Sequence, residues 1–249
     1  MLFTIFGATG DLTTKKLIPA LYRLYEENEM PEQGMILCIG RRSQDTESFV
    51  QGIREKLQGD YPKWESFKSY IQYYTMDFSD ESQFKAFKSY VESLSLTSES
   101  NKIFYLATAP SFFPIVAKAL IGCGLLRRGE LREKIIFEKP FGQDLKTAKL
   151  YNRMLLDAIE EEQVYMIDHY LGKEMLQNIL TVRFANKIFE SIWNKDNIEK
   201  VVIYALEKET VKQRGSYYDR SGAMKDMVQN HLFQTLALVA MDSPEGLSD

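Results

Sequence analysis

Residues 2–12 read LFTIFGATGDL and predict a strand, a glycine turn and the start of a helix. Such a turn needs glycine so that the backbone can bend tightly and approach a phosphate group, which the free N–H groups of the helix then bind. The residues of this turn that we predict to bind a dinucleotide are Gly7, Thr9, Gly10, Asp11 and Leu12. Because the spacing is GxxG and not GxGxxG, a tight turn without a ligand is the alternative.

Short apolar runs alternate with helical patterns through the first two thirds of the chain. Further strands are predicted at residues 35–39, 71–76, 103–107 and 134–137. Helices are predicted at residues 16–25, 46–57, 81–94, 114–121 and 145–161, with a kink or a late start at Pro19. Apolar strands separated by helices indicate an α/β fold with a Rossmann-like, doubly wound parallel sheet.

The pattern changes after about residue 165. A helix is predicted at residues 173–184, a long strand at 199–206 and a long helix at 222–241. The strand has no hairpin partner in the sequence, as if it began a sheet that the chain does not finish. We therefore expect a nucleotide-binding Rossmann domain at residues 1–166 and, at residues 167–249, the beginning of an incomplete α+β domain with an antiparallel sheet.

Two arginines follow the second predicted strand, where the ribose of a dinucleotide is recognised. Enzymes that use NAD place Asp or Glu there to bind the 2′-hydroxyl group. This chain has Arg41 and Arg42, whose guanidinium groups suit the 2′-phosphate of NADP, while Asp45 and Glu47 lie beyond the expected ribose contact. NADP is therefore the predicted cofactor, and a solvated basic pair on a loop is the alternative.

The composition argues against several classes of protein. With 45% hydrophobic residues, 27% charged residues and a net charge of −4, the chain is typical of globular domains and a poor candidate for nucleic-acid binding. Cys38 and Cys123 have neither metal-ligand nor disulfide spacing, so we expect no metal and a reducing, cytoplasmic location. The start of the chain lacks signal-peptide features, and residues 232–241 are too short for a membrane span of ~20 residues.

Several motifs are more specific than the glycine turn. They lie at the ends of predicted strands or beside predicted helices. The motifs are GATGDL at residues 7–12, KKL at 15–17, FEKPFG at 137–142, IDHYLGKE at 167–174, RGSYYD at 214–219 and DMVQNH at 226–231. Together they closely resemble the glucose-6-phosphate dehydrogenase family, in one order and without large gaps from residue 1 to the end.

The resemblance implies an activity and a catalytic pair. The family oxidises glucose 6-phosphate to 6-phosphogluconolactone with NADP⁺, the first oxidative step of the pentose phosphate pathway. By resemblance, His231 is the general base for the sugar C1 hydroxyl, and Asp168 orients that histidine. Imidazole suits this proton transfer near neutral pH, and a carboxylate partner fixes its tautomer. The chain has two histidines, His169 and His231, and both fall in matched motifs.

The resemblance also implies how substrate and cofactor are held. Lys139 matches a lysine that contacts both the substrate and the nicotinamide edge. Arg41 matches the family's arginine for the 2′-phosphate, and Arg42 is a second contact. The residues implied to bind glucose 6-phosphate are Lys139, His169, Tyr170, Lys173, Glu207, Asp226 and Lys16.

The chain departs from the family in three ways. Met166 replaces a usual arginine two residues before the motif aspartate, and Thr108-Ala109-Pro110 replaces a double proline. The family chain continues well beyond residue 249 into a large sheet that supplies a dimer interface, which implies that the full-length parent is a homo-oligomer. Two alternatives stay open: a fragment that binds NADP or sugar phosphate with little turnover, and a relative that acts on another phosphosugar.

Overall fold

Two compact units make up the chain, Met1–Ile167 and Asp168–Asp249. The structure is a computed structural model that describes residues 1–94, 97, 99–142, 144–168, 170–206 and 215–244. Within the described residues, no helix combines the length and the apolar character that a bilayer span requires.

Six parallel strands form the sheet of the first unit, in the order β3-β2-β1-β4-β5-β6. The strands are β1 (Leu2–Phe6), β2 (Met35–Gly40), β3 (Ile71–Thr75), β4 (Lys102–Leu106), β5 (Glu133–Phe137) and β6 (Val164–Met166). The order reverses between β1 and β4, as in doubly wound folds. This arrangement confirms the predicted α/β, Rossmann-like parallel sheet. We did not predict β6, whose three residues are too few to show a periodicity.

Helices connect the strands of this unit. The α-helices are α1 (Ile18–Glu26), α2 (Thr46–Arg54), α3 (Trp64–Phe67), α4 (Gln83–Ser93), α5 (Phe113–Cys123) and α6 (Leu145–Leu156). A π-helical segment (Thr13–Leu17) precedes α1, and 3₁₀ turns lie at Lys68–Tyr70, Pro110–Phe112 and Glu161–Gln163. Pro19 lies in the first turn of α1, but the chain is already helical from Asp11 onward, so a late helix start at Pro19 is wrong and the kink stays a prediction.

The two faces of the sheet are buried in separate apolar clusters. Leu37 and Ile39 of β2 pack in a cluster with side chains of α4, α5 and α6, whereas Ile36 and Cys38 pack with α1, α2 and α3. Because successive residues of a strand point to opposite faces, the continuous apolar run of β2 fills both clusters. The strands are thereby fixed at both faces, and loops at their ends are left to carry the site.

The regular elements that the structure describes in the second unit are all helices. Its α-helices are α7 (Glu174–Phe184), α8 (Lys187–Glu190), α9 (Gly215–Ala223) and α10 (Phe233–Ala240), and a π-helix (Met224–Leu232) leads into α10. Gly222 interrupts the helical backbone with φ 65° and ψ 169°, which a glycine tolerates. The helices predicted at residues 173–184 and 222–241 are therefore confirmed to within a few residues.

The strand predicted at residues 199–206 is wrong. Residues 199–206 form no regular element, and the structure describes no strand in residues 170–206 or 215–244. A strand requires backbone hydrogen bonds to a neighbour, and these parts of the chain offer none. Tyr204 and Leu206 accordingly stay 78% and 89% exposed. The antiparallel sheet of the second domain stays a prediction.

Candidate active site

The glycine turn is fixed to two strands of the sheet. The amides of Gly7 and Ala8 donate to the carbonyl of Ile39 at 3.1 and 2.9 Å, so the turn lies against the carboxyl end of β2. Gly7 has φ +89°, and a Cβ atom there would meet the carbonyl oxygen of Ala107 at 2.4 Å. Only glycine fits at this position, because any side chain would collide with the backbone after β4.

The outer side of the turn is open to a ligand. Thr9, Gly10 and Asp11 are exposed, and the chain is helical from Asp11 onward. A Cβ atom at Gly10 would meet only the Gly7 carbonyl oxygen, at 3.2 Å. Lys15 donates to the Asp11 carboxylate at 2.8 Å, and this hydrogen bond and charge lower the pKa of Asp11. The turn therefore presents backbone N–H groups at a helix start, and the Asp11 carboxylate already has a cationic partner.

The two arginines follow β2 at the same edge of the sheet. Arg41 and Arg42 are both exposed. The Tyr73 hydroxyl donates to the Arg42 carbonyl at 2.8 Å, and burial raises the pKa of that hydroxyl. Asp45 accepts a hydrogen bond from the Ser48 amide at 2.7 Å and caps α2. The nearby carboxylate is thus used by the helix, and the guanidinium groups are available to an anionic ligand.

Asp77, on the loop after β3, was missed by the sequence analysis. Hydrogen bonds from Ser79 lower the pKa of Asp77, and the charge of Arg41 lowers it further. The charges of Arg41 and Asp77 therefore interact at this edge of the sheet. The signal was available in principle, because β2 and β3 are parallel neighbours whose carboxyl ends meet at one edge.

Lys139 lies two residues beyond β5, at the same carboxyl edge. It is half-buried, and its peptide bond to Pro140 is cis. The residue before it, Glu138, accepts a short hydrogen bond from the hydroxyl of Tyr105 on β4. Burial, together with the Glu138 carboxylate, raises the pKa of Tyr105. No local pattern in the sequence indicates this pair, because it joins two strands; Tyr105 is paired with Ile136 in the register of β4 and β5.

The IDHYLGKE motif forms a tight turn before α7 in the second unit. The Tyr170 amide donates to the Asp168 carboxylate at 2.9 Å, and the Lys173 amide donates to the Tyr170 carbonyl at 3.0 Å. The Lys173 ammonium nitrogen lies 3.6 Å from the centre of the Tyr170 ring. The motif therefore brings Asp168, Tyr170 and Lys173 together, while His169 lies outside the described residues.

His231 is held in the same unit, on the π-helix Met224–Leu232. Its side chain is buried, and its ring lies 3.7 Å from the Tyr170 ring, centre to centre, with 13° between the planes. Asp226 is half-buried and lies five residues earlier on that helix. Because π-helical hydrogen bonds join residues five apart, Asp226 and His231 lie on similar sides of the helix. Glu207 falls outside the described residues, and Lys16 is exposed in the first unit.

An apolar cavity of about 370 Å³ also lies in the second unit, and Met175, Trp193, Tyr204 and Val239 are among the residues that line it. Among the predicted site residues that the structure describes, none lines this cavity. In the part of the chain that the structure describes, no group of three or more His, Cys, Asp or Glu side chains is arranged to hold a metal ion.

Family models match nearly the whole chain. The model described as glucose-6-phosphate dehydrogenase, NAD binding domain, matches residues 4–178, and the one described as glucose-6-phosphate dehydrogenase, C-terminal domain, matches residues 180–249. The chain belongs to the glucose-6-phosphate dehydrogenase family. The resemblance inferred from the motifs is therefore confirmed.

Relatives in this family support the assignment along the full chain. The chain is 43% identical to glucose-6-phosphate 1-dehydrogenase of Streptococcus pneumoniae over 249 residues, which is 98% of the chain and 50% of that relative. It is 36% identical to the Leuconostoc mesenteroides enzyme of the same name, covering 100% of the chain and 52% of that relative. The chain thus spans about half the length of the curated relatives it matches.

Solved structures of the family have the same fold. A glucose-6-phosphate dehydrogenase in complex with glucose-6-phosphate matches with a TM-score of 0.86 at 32% identity, over 99% of this chain and 52% of that one. The glucose-6-phosphate 1-dehydrogenase of Mycobacterium avium matches with a TM-score of 0.84 at 32% identity, over 98% of this chain and 52% of that one.

Proposed function

We propose that the protein oxidises glucose 6-phosphate to 6-phosphogluconolactone with NADP⁺ as the hydride acceptor. The observation that carries this proposal is membership of the glucose-6-phosphate dehydrogenase family over residues 4–178 and 180–249. Two groups of site residues, one in each unit, support it. The first unit is proposed to bind the cofactor and, through Lys16 and Lys139, to contribute to substrate binding. The second unit is proposed to supply the other substrate contacts and the general base.

The glycine turn and the arginine pair fit NADP⁺. The open side of Gly10 and the exposed helix start at Asp11 leave room for a pyrophosphate, and Leu12 is half-buried beneath them. Arg41 and Arg42 suit the 2′-phosphate because guanidinium groups bind phosphate in a bidentate manner. When bound, NADP⁺ supplies an acceptor for the hydride that leaves C1 of the sugar.

His231 is proposed to take the proton from the C1 hydroxyl. Removal of this proton makes the departure of hydride from the same carbon easier, and a neutral imidazole is a suitable base near neutral pH. Asp168 is proposed to orient the imidazole and to stabilise its charged form. Thr235 donates to the His231 carbonyl at 2.9 Å, which helps to hold the backbone that carries the base.

The remaining site residues are proposed to hold glucose 6-phosphate. Cationic and polar side chains would bind its phosphate, and carboxylates would bind its hydroxyl groups. The residues proposed to bind the phosphate are Lys173, Tyr170 and His169, and Lys16 is also proposed to contribute. The hydroxyl set is Glu207 and Asp226, and Lys139 is proposed to contact both the sugar and the cofactor.

Substrate comparison tests the proposal directly. Formation of the reduced cofactor, NADPH from NADP⁺ or NADH from NAD⁺, is measured with glucose 6-phosphate, glucose and galactose 6-phosphate. We expect the highest kcat/KM for glucose 6-phosphate with NADP⁺. A higher kcat/KM for galactose 6-phosphate would overturn the sugar assignment, and equal values with and without the phosphate would overturn the phosphate site.

A second candidate is a protein that binds NADP and sugar phosphate with little turnover. This candidate is favoured by residues 199–206, which form no regular element and directly precede Glu207, a residue proposed to bind the sugar. Tight NADP⁺ binding without NADPH formation from any of the three sugars would favour it. We further propose a cytoplasmic location, consistent with the free thiols of Cys38 and Cys123, and a homo-oligomeric parent protein.

A further inference from the structure

A three-layer stack in the second unit joins a lysine, a tyrosine and the proposed base. The imidazole of His231 is nearly parallel to the Tyr170 ring, with 3.7 Å between centres and 13° between planes. The Lys173 ammonium nitrogen lies 3.6 Å from the centre of the same tyrosine ring. If the ammonium group and the imidazole lay on the same face of the Tyr170 ring, both would occupy the space above its centre and would collide. They therefore lie on opposite faces of the ring.

We propose that Tyr170 is a positioning residue for His231, and that its ring, not its hydroxyl, performs this role. The proposal rests on the proposed function, because it assigns Tyr170 a second role beside the phosphate contact implied by the resemblance. The ring holds the plane of the imidazole, and Lys173 holds the opposite face of the ring through a cation–π contact.

The stacked Tyr170 ring restricts rotation of the His231 ring about its χ2 torsion. The ring of a histidine rotates about χ2 in a broad, two-fold potential, so the backbone alone leaves the direction of its nitrogen atoms poorly fixed. A parallel ring at 3.7 Å blocks that rotation, because the edge of a turning imidazole would enter the tyrosine ring. Both side chains are buried, with 7% of Tyr170 and 5% of His231 exposed, so solvent does not separate them.

The backbone of Tyr170 is hydrogen-bonded to a residue before it and to a residue after it in the sequence. Its amide donates to the Asp168 carboxylate, and its carbonyl accepts from the Lys173 amide. These bonds close the turn that carries both Tyr170 and the ammonium group stacked on it. The proposed orienting carboxylate, the positioning ring and the cation therefore belong to one short turn, and the base reaches that turn from a helix distant in sequence.

Two substitutions at one position separate the ring from the hydroxyl. Tyr170→Phe keeps the ring and removes the hydroxyl, and Tyr170→Leu removes both. A residue that only bound phosphate would give the two variants a similar rise in KM and an unchanged kcat. A positioning ring predicts a kcat for Tyr170→Leu about 10- to 100-fold below that of Tyr170→Phe, the range expected when a reacting group is misplaced by up to 1 Å, while both variants lose the phosphate contact of the hydroxyl.

Proton NMR of the histidine rings tests the stack without any turnover. The chain has two histidines, so His169→Gln leaves the ring resonances of His231 alone to be assigned. The tyrosine ring current should move them upfield; Tyr170→Phe should keep that shift and Tyr170→Leu should remove most of it. The dispersion of resonances in the spectrum of Tyr170→Leu also shows whether this variant is folded. If it is not, Tyr170→Trp provides a different aromatic ring at the same position, which should keep an upfield shift of the His231 resonances.

The outcomes separate this inference from the proposed function. His231 resonances that are the same in the wild-type protein and in a folded Leu variant would overturn the stack. Equal losses of kcat in the Phe and Leu variants would assign the effect to the hydroxyl and overturn the role of the ring. Absence of glucose 6-phosphate oxidation by the wild-type protein would overturn the proposed function, and the NMR result would still decide whether Tyr170 fixes the imidazole.

Discussion

Buried positions carry different kinds of side chain in the two units. In the first unit, two clusters of aliphatic and aromatic side chains fill the space on either side of a six-stranded sheet. In the second unit, the buried residues among those described are Tyr170, Leu176, Arg183, His231 and Thr235. All of them except Leu176 carry a polar group.

The first unit is therefore stabilised by an apolar core, whereas the buried positions of the second unit are mostly polar and include residues of the proposed site. Burying a polar group costs free energy unless it is hydrogen-bonded, so such groups need partners. Arg183 illustrates this, because its guanidinium donates to the carbonyls of Leu238 and Met241 at 2.5 and 2.7 Å, at the end of α10. Substitutions in the first unit should therefore act mainly on stability or cofactor affinity, and substitutions at buried positions of the second on turnover.

The largest expected effect is that of His231→Asn. Loss of a positioned base lowers kcat by about 10²- to 10⁴-fold. The cofactor-binding residues belong to the first unit, so the Kd for NADP⁺ should change by less than about 2-fold, well under the ~1.4 kcal/mol of one decade. Steady-state NADPH formation gives kcat, and displacement of bound NADPH by NADP⁺, followed by NADPH fluorescence, gives the Kd for NADP⁺. Wild-type kcat in this variant would show that His231 is not the base. A large loss of affinity for NADP⁺ would contradict the assignment of cofactor binding to the first unit.

Gly7→Ala should produce the next largest effect, on the free energy of unfolding of the first unit. Its Cβ would lie 2.4 Å from the Ala107 carbonyl oxygen at φ +89°. The backbone conformation alone costs an alanine roughly 1–3 kcal/mol, and the collision with the carbonyl oxygen adds to this. Gly52→Ala is the matched control, because Gly52 lies within α2 and a methyl group added there would have no neighbour within 4 Å, so alanine should stabilise by roughly 0.5–1 kcal/mol. Urea denaturation measures both; equal free energies for the two variants would contradict the fixed turn.

Arg41→Ala sharpens the comparison within the cofactor half. A charge-assisted contact to the 2′-phosphate contributes roughly 1.5–3 kcal/mol, so the Kd for NADP⁺ should rise by about one to two decades and that for NAD⁺ should change little. Arg23→Ala, at an exposed position of α1, is the control for the loss of one positive charge and should leave both constants unchanged. Equal losses for the two cofactors would exclude Arg41 as the 2′-phosphate contact.

The first unit could be predicted from the sequence because its pattern is local and repeated. The bounds of β1 at Leu2–Phe6 follow directly from an apolar run that stops at Gly7. The second unit could not be predicted as well, because a strand depends on a partner elsewhere in the chain, and residues 199–206 had the composition of a strand without that partner. The stack of Tyr170 on His231 is likewise a contact between residues distant in sequence, and no local pattern reports it.

Tyr105→Phe should give the smallest effect, and it tests whether a polar pair at the edge of the sheet supports Lys139. The Tyr105 hydroxyl donates to Glu138, so its removal leaves a half-buried carboxylate without that donor and should lower the free energy of unfolding by about 1 kcal/mol. Burial and Glu138 raise the pKa of Tyr105 above its ordinary value of 10.0, so the folded state favours the neutral phenol. The contribution is then fully present below about pH 10 and is lost as the pH rises further, because the unfolded phenol ionises first. Tyr90→Phe is the control, since Tyr90 is half-buried and packs its ring on Tyr74. Urea denaturation at pH 8 and pH 10.5 measures the difference in free energy of unfolding between Tyr105→Phe and wild type. A difference that grows with pH would contradict the neutral phenol as the donor.

If the pair also supports Lys139, the KM for glucose 6-phosphate should rise by less than about 10-fold in Tyr105→Phe and stay unchanged in Tyr90→Phe, because the hydroxyl acts on the lysine through Glu138 and does not touch the ligand.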